Sequence, residues 1–137
     1  MKPYILFLCW HNSGRSQLAQ AYFNAHNRNG NIEARSAGTS IKWNGLINPK
    51  IAKLLLQNGI DIAKQREIYY PKMYTQEMLM EAQKIFTMGC MENCQWLWVK
   101  IDDDFWLADP EDSNTNIEEM FQDFLQKIKP IIWLYNH

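Results

Sequence analysis

The chain has 137 residues, 14 Lys+Arg against 15 Asp+Glu, a formal charge of -1 and 47% hydrophobic residues. This is room for one domain, 1–137, able to bury about 68% of its unfolded surface without metal or disulfide staples. The near-neutral charge lacks the basic footprint of a nucleic-acid or anionic-membrane binder. The longest apolar run, Tyr4 to Trp10, is far short of the ~20 residues that span a bilayer.

In chain order, Tyr4-Ile-Leu-Phe-Leu-Cys9 is a continuous apolar run ending at the turn-forming His11-Asn-Ser-Gly14, as expected of a central strand buried on both faces. From Ser16 the stripe Leu18, Ala21, Tyr22, Ala25 predicts a helix that fades into Asn27–Asn31. Ile32 to Ser36 reads as a second strand, stopping at the small residues Ala37-Gly38. Asn48 as N-cap, Pro49 at the first helical position and Gly59 past the end frame a second helix that turns Ile51, Leu54 and Leu55 inward.

Thr75 to Gln83 predicts a third helix, Lys84 to Met88 a third strand and Trp96 to Ile101 a short fourth strand. A polar loop, Asp102 to Asn116, then leads to a capping box from Thr115 to Glu118. The last helix carries Ile117, Met120, Phe121, Phe124, Leu125 and Ile128 at spacings of three and four, and Pro130 is expected to end or kink it. Strands alternating with helices predict an α/β fold, a parallel sheet covered by helices on both faces. In such sheets ligands bind beyond the carboxyl ends of the strands, where Cys9 falls.

Three cysteines, Cys9, Cys90 and Cys94, cannot all pair within the chain, which favours a cytoplasmic protein with reactive thiols over a disulfide scaffold. Lys2, the apolar stretch and Leu18-Ala19-Gln20-Ala21 loosely imitate a secretory signal. The polar insert His11 to Gln17, with Arg15 inside it, argues against that reading.

Cys9-Trp-His-Asn-Ser-Gly-Arg15-Ser16 puts a thiol at the end of a strand and a guanidinium at the first turn of a helix. A loop of this length can curl the amides of Trp10, His11, Asn12, Ser13, Gly14, Arg15 and Ser16 around a tetrahedral oxyanion, above the positive end of the helix dipole. Arg15 adds two parallel donors. A free thiol is only about 3% thiolate at pH 7, and the amides, the dipole and Arg15 all favour the ionised nucleophile. Ser16 can donate to it as well. The Cys-x5-Arg spacing alone is weak, since a buried strand-end cysteine beside a surface arginine gives the same pattern. The flanking strand and helix, with Asn12 and Gly14 as turn-tolerant residues, supply the specificity.

Displacement at phosphorus or arsenic needs a proton donor for the departing oxygen, and Asp109, held by Pro110 in the loop after the fourth strand, is placed to reach the same edge. Cys90 and Cys94 lie just past the third strand, on that edge too. Zinc is disfavoured, because His11, His26 and His137 stand at no metal-ligand spacing to them. A redox role is more economical: one thiol attacks a Cys9 adduct and its neighbour resolves it.

Phe7-Leu-Cys9, His11 to Ala19, Arg35-Ser-Ala-Gly38, Asn58-Gly-Ile-Asp61, Thr87-Met-Gly-Cys90 with Cys94, and Asp109-Pro110 follow in order along nearly the whole chain. Together they resemble the low-molecular-weight tyrosine phosphatase fold and, within it, the thiol-dependent arsenate reductases. Gln17 is similar to the reductases, whereas the phosphatases typically carry proline there, and the loop after Asp109-Pro110 lacks the phosphatases' usual tyrosines.

The resemblance implies a three-layer sandwich on a four-stranded parallel sheet, with Cys9 as nucleophile, Arg15 and the loop amides as oxyanion binders and Asp109 as general acid. It further implies an arsenate- or phosphate-type oxyanion as ligand, with arsenate reduction through Cys90 and Cys94 or, alternatively, phosphomonoester hydrolysis through a Cys9 phosphoenzyme. No bound cofactor is implied. The external reductant is thioredoxin, glutaredoxin or a low-molecular-weight thiol. Two departures stand out: the three residues between Cys90 and Cys94 are fewer than is usual in the thioredoxin-coupled members, and Gly14 stands where those often have a cysteine.

Overall fold

All six residues of the first strand, β1 (Tyr4–Cys9), are buried, because parallel neighbours flank it on both sides and helices cover both faces. The computed structural model describes residues 2–41, 45–89 and 99–136. Its sheet has the order β2-β1-β3-β4, all parallel, with β2 at Glu33–Gly38, β3 at Lys84–Thr87 and β4 at Asp103–Asp104. Cys9 is in register with Gly38, and Leu8 with Thr87.

Alternation along β1 sorts the core into two layers. Ile5, Phe7 and Cys9 face a cluster built with α1 (Arg15–His26), α2 (Pro49–Gln57) and the last helix, α4 (Ile117–Asn136). Tyr4, Leu6 and Leu8 face a smaller cluster with Leu79 of α3 (Gln76–Glu81). Strand order reverses between β1 and β3, and the loop leaving β1 emerges at that switch point, where open α/β sheets hold their ligands.

The second helix is built as its local signals dictate. Asn48 accepts from the Lys50 N–H, Pro49 opens the helix, and Gly59 takes φ +80° just past its end. Helix α1 departs from its expected stripe: Ala25 is exposed, Phe23 is fully buried, and the helix is covered without interruption from Ser16 to Phe23. It runs beneath the sheet with α2 and α4 on its other sides, so every face of the helix from Ser16 to Phe23 is covered.

The fourth strand is not at Trp96–Ile101. Residues 96–98 lie outside the described residues, Val99–Ile101 are not strand, and the pairing with β3 is made by Asp103 and Asp104. Aspartates suit this short edge because their side chains stand in for missing backbone acceptors. Asp102 Oδ2 accepts from the Ile85 N–H at 2.8 Å, and Asp104 Oδ1 from the Thr87 hydroxyl and the Gly89 N–H.

The cap of α4 is also displaced by one residue. Asn116, not Thr115, accepts from the Glu119 N–H, and the Thr115 hydroxyl donates instead to the Asp109 carbonyl at 2.6 Å. Pro130 does not end the helix, which continues to Asn136. Gln126, whose carbonyl the proline leaves without a donor, and Pro130 itself are both exposed, so water can take over that bond.

Candidate active site

The Cys9 side chain is 3% exposed at the carboxyl end of β1. Its Sγ lies 2.8 Å from Ser16 Oγ and accepts from the Asn12 N–H at 3.2 Å. Asn12 Nδ2 donates to the same Ser16 Oγ at 2.7 Å. The direction of this relay is fixed from outside the loop: the Lys72 N–H, which can only donate, meets Asn12 Oδ1 at 3.0 Å and so forces the Asn12 amide group toward Ser16. With one lone pair engaged by Asn12, the Ser16 hydroxyl has its proton free to point at the Cys9 sulfur 2.8 Å away.

Asn12 holds the left-handed backbone conformation, φ +54°, and is fully buried. Non-glycine residues adopt this region when the surroundings over-determine it. Here Gln17 does so from α1, its Nε2 reaching Asn12 O at 3.1 Å, Asn12 Oδ1 at 3.0 Å and Tyr70 O at 3.0 Å. The strap at Tyr70–Met73 thus clamps the loop from beneath. It is itself tied to the end of β2, where the Gly38 N–H donates to Lys72 O at 2.8 Å.

Other bonds fix the loop's flanks. The Thr39 and Ser40 N–H groups donate to Cys9 O and Trp10 O, and the Asn48 N–H donates to Ser13 O at 2.7 Å. His11 Nδ1 donates to Ser40 O at 2.6 Å and its ring stacks on Trp10, whose side chain is exposed. Gly38 is required by contact: a Cβ there would lie 2.8 Å from Trp10 O and 3.0 Å from Asn12 N. No side chain caps α1 at Gly14, which leaves its leading amides available to an anion.

Arg15 opens α1, and its Nη1 donates to Leu107 O at 3.2 Å. A Cβ on Gly89 would lie 3.0 Å from that same Nη1, so the turn after β3 also presses against the guanidinium. The loop bearing Asp109 packs beside this group: a Cβ on Gly14 would meet Pro110 Cγ at 2.9 Å, and Lys50 Nζ donates to Pro110 O at 3.2 Å. Asp109 itself is exposed and accepts from the Glu111 N–H through Oδ1.

The sequence-predicted Cys9, Trp10, His11, Asn12, Ser13, Gly14, Arg15 and Ser16 therefore form one loop, and the Asp109-Pro110 segment lies against it. Cys90 and Cys94 lie outside the described residues. Sequence reasoning left out Gln17 as a clamp, Gly89 and Leu107 as the walls around Arg15, and Lys72. A glutamine placed between Arg15-Ser16 and the apolar Leu18-Ala19 was the available signal for Gln17.

Lys72 places Nζ out of contact with water and, among the described residues, without a hydrogen-bond partner, 4.5 Å from the Tyr70 ring centroid. Burial pulls its ammonium down from 10.5 to about 8. Among the described residues no cluster of three or more His, Cys, Asp or Glu is arranged to hold a metal, and no helix is long and apolar enough to cross a membrane.

A buried strand-end thiol inside an amide-lined loop closed by an arginine defines a class of cysteine-dependent oxyanion enzymes. The family model for low molecular weight phosphotyrosine protein phosphatase matches residues 4–130, and the chain belongs to that family. No curated protein matches it.

Among solved structures, a thioredoxin-dependent arsenate reductase of Corynebacterium glutamicum is 28% identical with a TM-score of 0.74, covering 97% of this chain and 63% of that one. This chain thus spans less than two thirds of that reductase. A low molecular weight protein tyrosine phosphatase from T. tengcongensis is 21% identical with a TM-score of 0.72, covering 96% and 95% of the two chains. An arsenate reductase from Archaeoglobus fulgidus is 20% identical with a TM-score of 0.70, covering 93% and 98%.

Proposed function

We propose that this protein is a thiol-dependent arsenate reductase. The observation that carries the reading is the contact of the Gly89 turn with Arg15, because the next residue in the chain is the thiol Cys90, with Cys94 shortly after. A hydrolase needs only the Cys9 loop and a general acid. Further thiols following directly on a turn that touches the oxyanion-binding arginine suit a reaction that must close a sulfur–sulfur bond.

The proposed sequence begins with arsenate held by the loop amides and Arg15. The Cys9 thiolate attacks arsenic, and a hydroxyl leaves as water after accepting a proton from Asp109, whose Oδ2 makes no hydrogen bond among the described residues. Ser16 stabilises the thiolate before attack. Cys90 then attacks the Cys9 sulfur: a Cys9–Cys90 bond forms, the S–As bond breaks with its electron pair retained on arsenic, and As(V) becomes As(III), released as arsenite. Cys94 attacks Cys90, which frees Cys9 and leaves a Cys90–Cys94 disulfide for an external thiol to reduce.

The electron donor is thioredoxin, glutaredoxin or a low-molecular-weight thiol, and the thiol-rich cytoplasm is the compartment that suits it. The 28% identical reductase bears the description thioredoxin-dependent, which makes thioredoxin the first donor to try. Assaying arsenate with a panel of thiol donors and mapping the cysteines by mass after turnover should find a Cys90–Cys94 disulfide or a mixed disulfide at Cys9. Arsenite release that is untouched by Cys9→Ser overturns the proposal.

The same loop supports phosphomonoester hydrolysis through a Cys9 phosphoenzyme, a reading favoured by the exposed Asp109 beside it. Aryl phosphate turnover that survives both Cys90→Ser and Cys94→Ser, with no arsenite formed, would select it.

A further inference from the structure

The Arg15 guanidinium lies in a slot between two backbone segments. On one side Leu107 O accepts from Nη1 at 3.2 Å. On the other is Gly89, at φ +91°, whose missing Cβ would stand 3.0 Å from Nη1 and 3.2 Å from Trp106 Cδ1. A free arginine side chain samples many rotamers, so the slot matters to how much of its binding energy reaches a ligand.

The Gly89 side of the slot has a single side-chain anchor among the described residues. Asp104, half-buried at the end of β4, accepts through one oxygen from the Thr87 hydroxyl and from the Gly89 N–H, the latter at 3.1 Å. The neighbouring Phe105 N–H donates to Thr87 O at 2.6 Å, so the aspartate is itself held by the end of the β3–β4 ladder. The reaction sequence proposed above gives Asp104 no part.

We infer that Asp104 is a positioning residue for oxyanion binding, holding the Gly89 turn so that the Arg15 guanidinium stays in its slot beside the loop. It acts by accepting hydrogen bonds and not by its charge. The inference rests on Arg15 as a ligand of tetrahedral oxyanions, and it is indifferent to whether arsenate or a phosphomonoester is turned over.

Inorganic phosphate is the probe, its affinity read on the full chain from protection of Cys9 against iodoacetamide. Asp104→Ala should weaken phosphate about tenfold, the scale of one lost hydrogen-bonded anchor. Alkylation without phosphate should stay within about twofold, because Ser16 and Asn12 keep their own contacts to the sulfur. Asp104→Asn retains the accepting oxygen and should restore most of the affinity.

In an Arg15→Lys background, Asp104→Ala should cost no further affinity, since the coupling runs through the guanidinium. If Asp104→Ala does not fold, Asp104→Ser, too short to span to Gly89, carries the same expectation. Wild-type affinity in the Ala or Ser variant overturns the inference, as does an Asn variant no better than Ala. A loss of melting temperature with unchanged phosphate affinity makes Asp104 merely structural and also overturns it. Wild-type protein whose Cys9 phosphate fails to protect would instead overturn the reading of the loop itself.

Discussion

Lys72→Met removes a buried ammonium while keeping an unbranched stem beneath the anion loop. The pull from 10.5 to about 8 measures how much burial disfavours the charged form. At about 1.4 kcal/mol per unit, it corresponds to ~3 kcal/mol of destabilisation carried by the folded protein at neutral pH. Loss of the cation–π contact with Tyr70 returns about 1 kcal/mol of this, leaving the variant ~2 kcal/mol more stable than wild type at pH 7.

The pH dependence has a definite sign. Lys72 loses its proton near pH 8 in the folded chain and near 10.5 when unfolded, so between those values the unfolded state binds more protons and wild-type stability rises with pH. Urea unfolding at pH 7 and pH 9.5, followed by far-ultraviolet circular dichroism, should show the wild type gaining ~2 kcal/mol and the variant lacking that gain. Phosphate affinity should not change, because the bond to Asn12 comes from the Lys72 backbone N–H. Parallel pH curves for the two proteins, or a variant less stable at pH 7, would refute the reasoning.

Other substitutions test the site and its supports. Ser16→Ala deletes the donor 2.8 Å from the Cys9 sulfur and strands Asn12 Nδ2; the loss of ~1.5–3 kcal/mol expected for a bond to a charged group lowers arsenate turnover at least about tenfold in a steady-state assay. Gly38→Ala drives a Cβ into Trp10 O and Asn12 N, which belong to backbone with little freedom to retreat. It should cost ~2 kcal/mol in urea unfolding and abolish phosphate binding by calorimetry. Pro130→Ala restores a helical N–H on an exposed turn and should raise stability by ~2 kcal/mol, seen as a higher melting temperature.

The parts of the fold legible in the sequence are those whose causes are local. The apolar run of β1, the Asn48-Pro49 start and Gly59 stop of α2, and the strand-loop-helix around Cys9 each follow from neighbours a few residues apart. The misplaced fourth strand has the opposite origin. Asp103 and Asp104 become a strand because β3 offers unpaired amides, a fact that only the assembled sheet supplies. In the same way Phe23 replaces Ala25 inside the core because α2 and α4 enclose α1, which defeats a single-stripe reading.

Within the site, the loop residues were legible and their fasteners were not. Nothing near Asn12 in the sequence announces Tyr70 or Lys72, and Arg15 gives no hint of Gly89 and Leu107. Thr115 looked like a cap and serves the Asp109 turn, since Asn116 beside it could do the capping. Polar residues with two available jobs are where local rules lose their power.

The Asn12 side chain is fastened by a backbone N–H 60 positions away along the chain, and the strap providing it is itself sewn to the end of β2. The anion loop therefore cannot reach its working shape while only β1 and α1 have formed, because the contacts that hold its left-handed residue are long-range and close late. In refolding, recovery of helix should run ahead of recovery of phosphate binding. The contacts that surround the Cys9 sulfur, made by Asn12 and Ser16, are therefore assembled only in a chain whose sheet is complete.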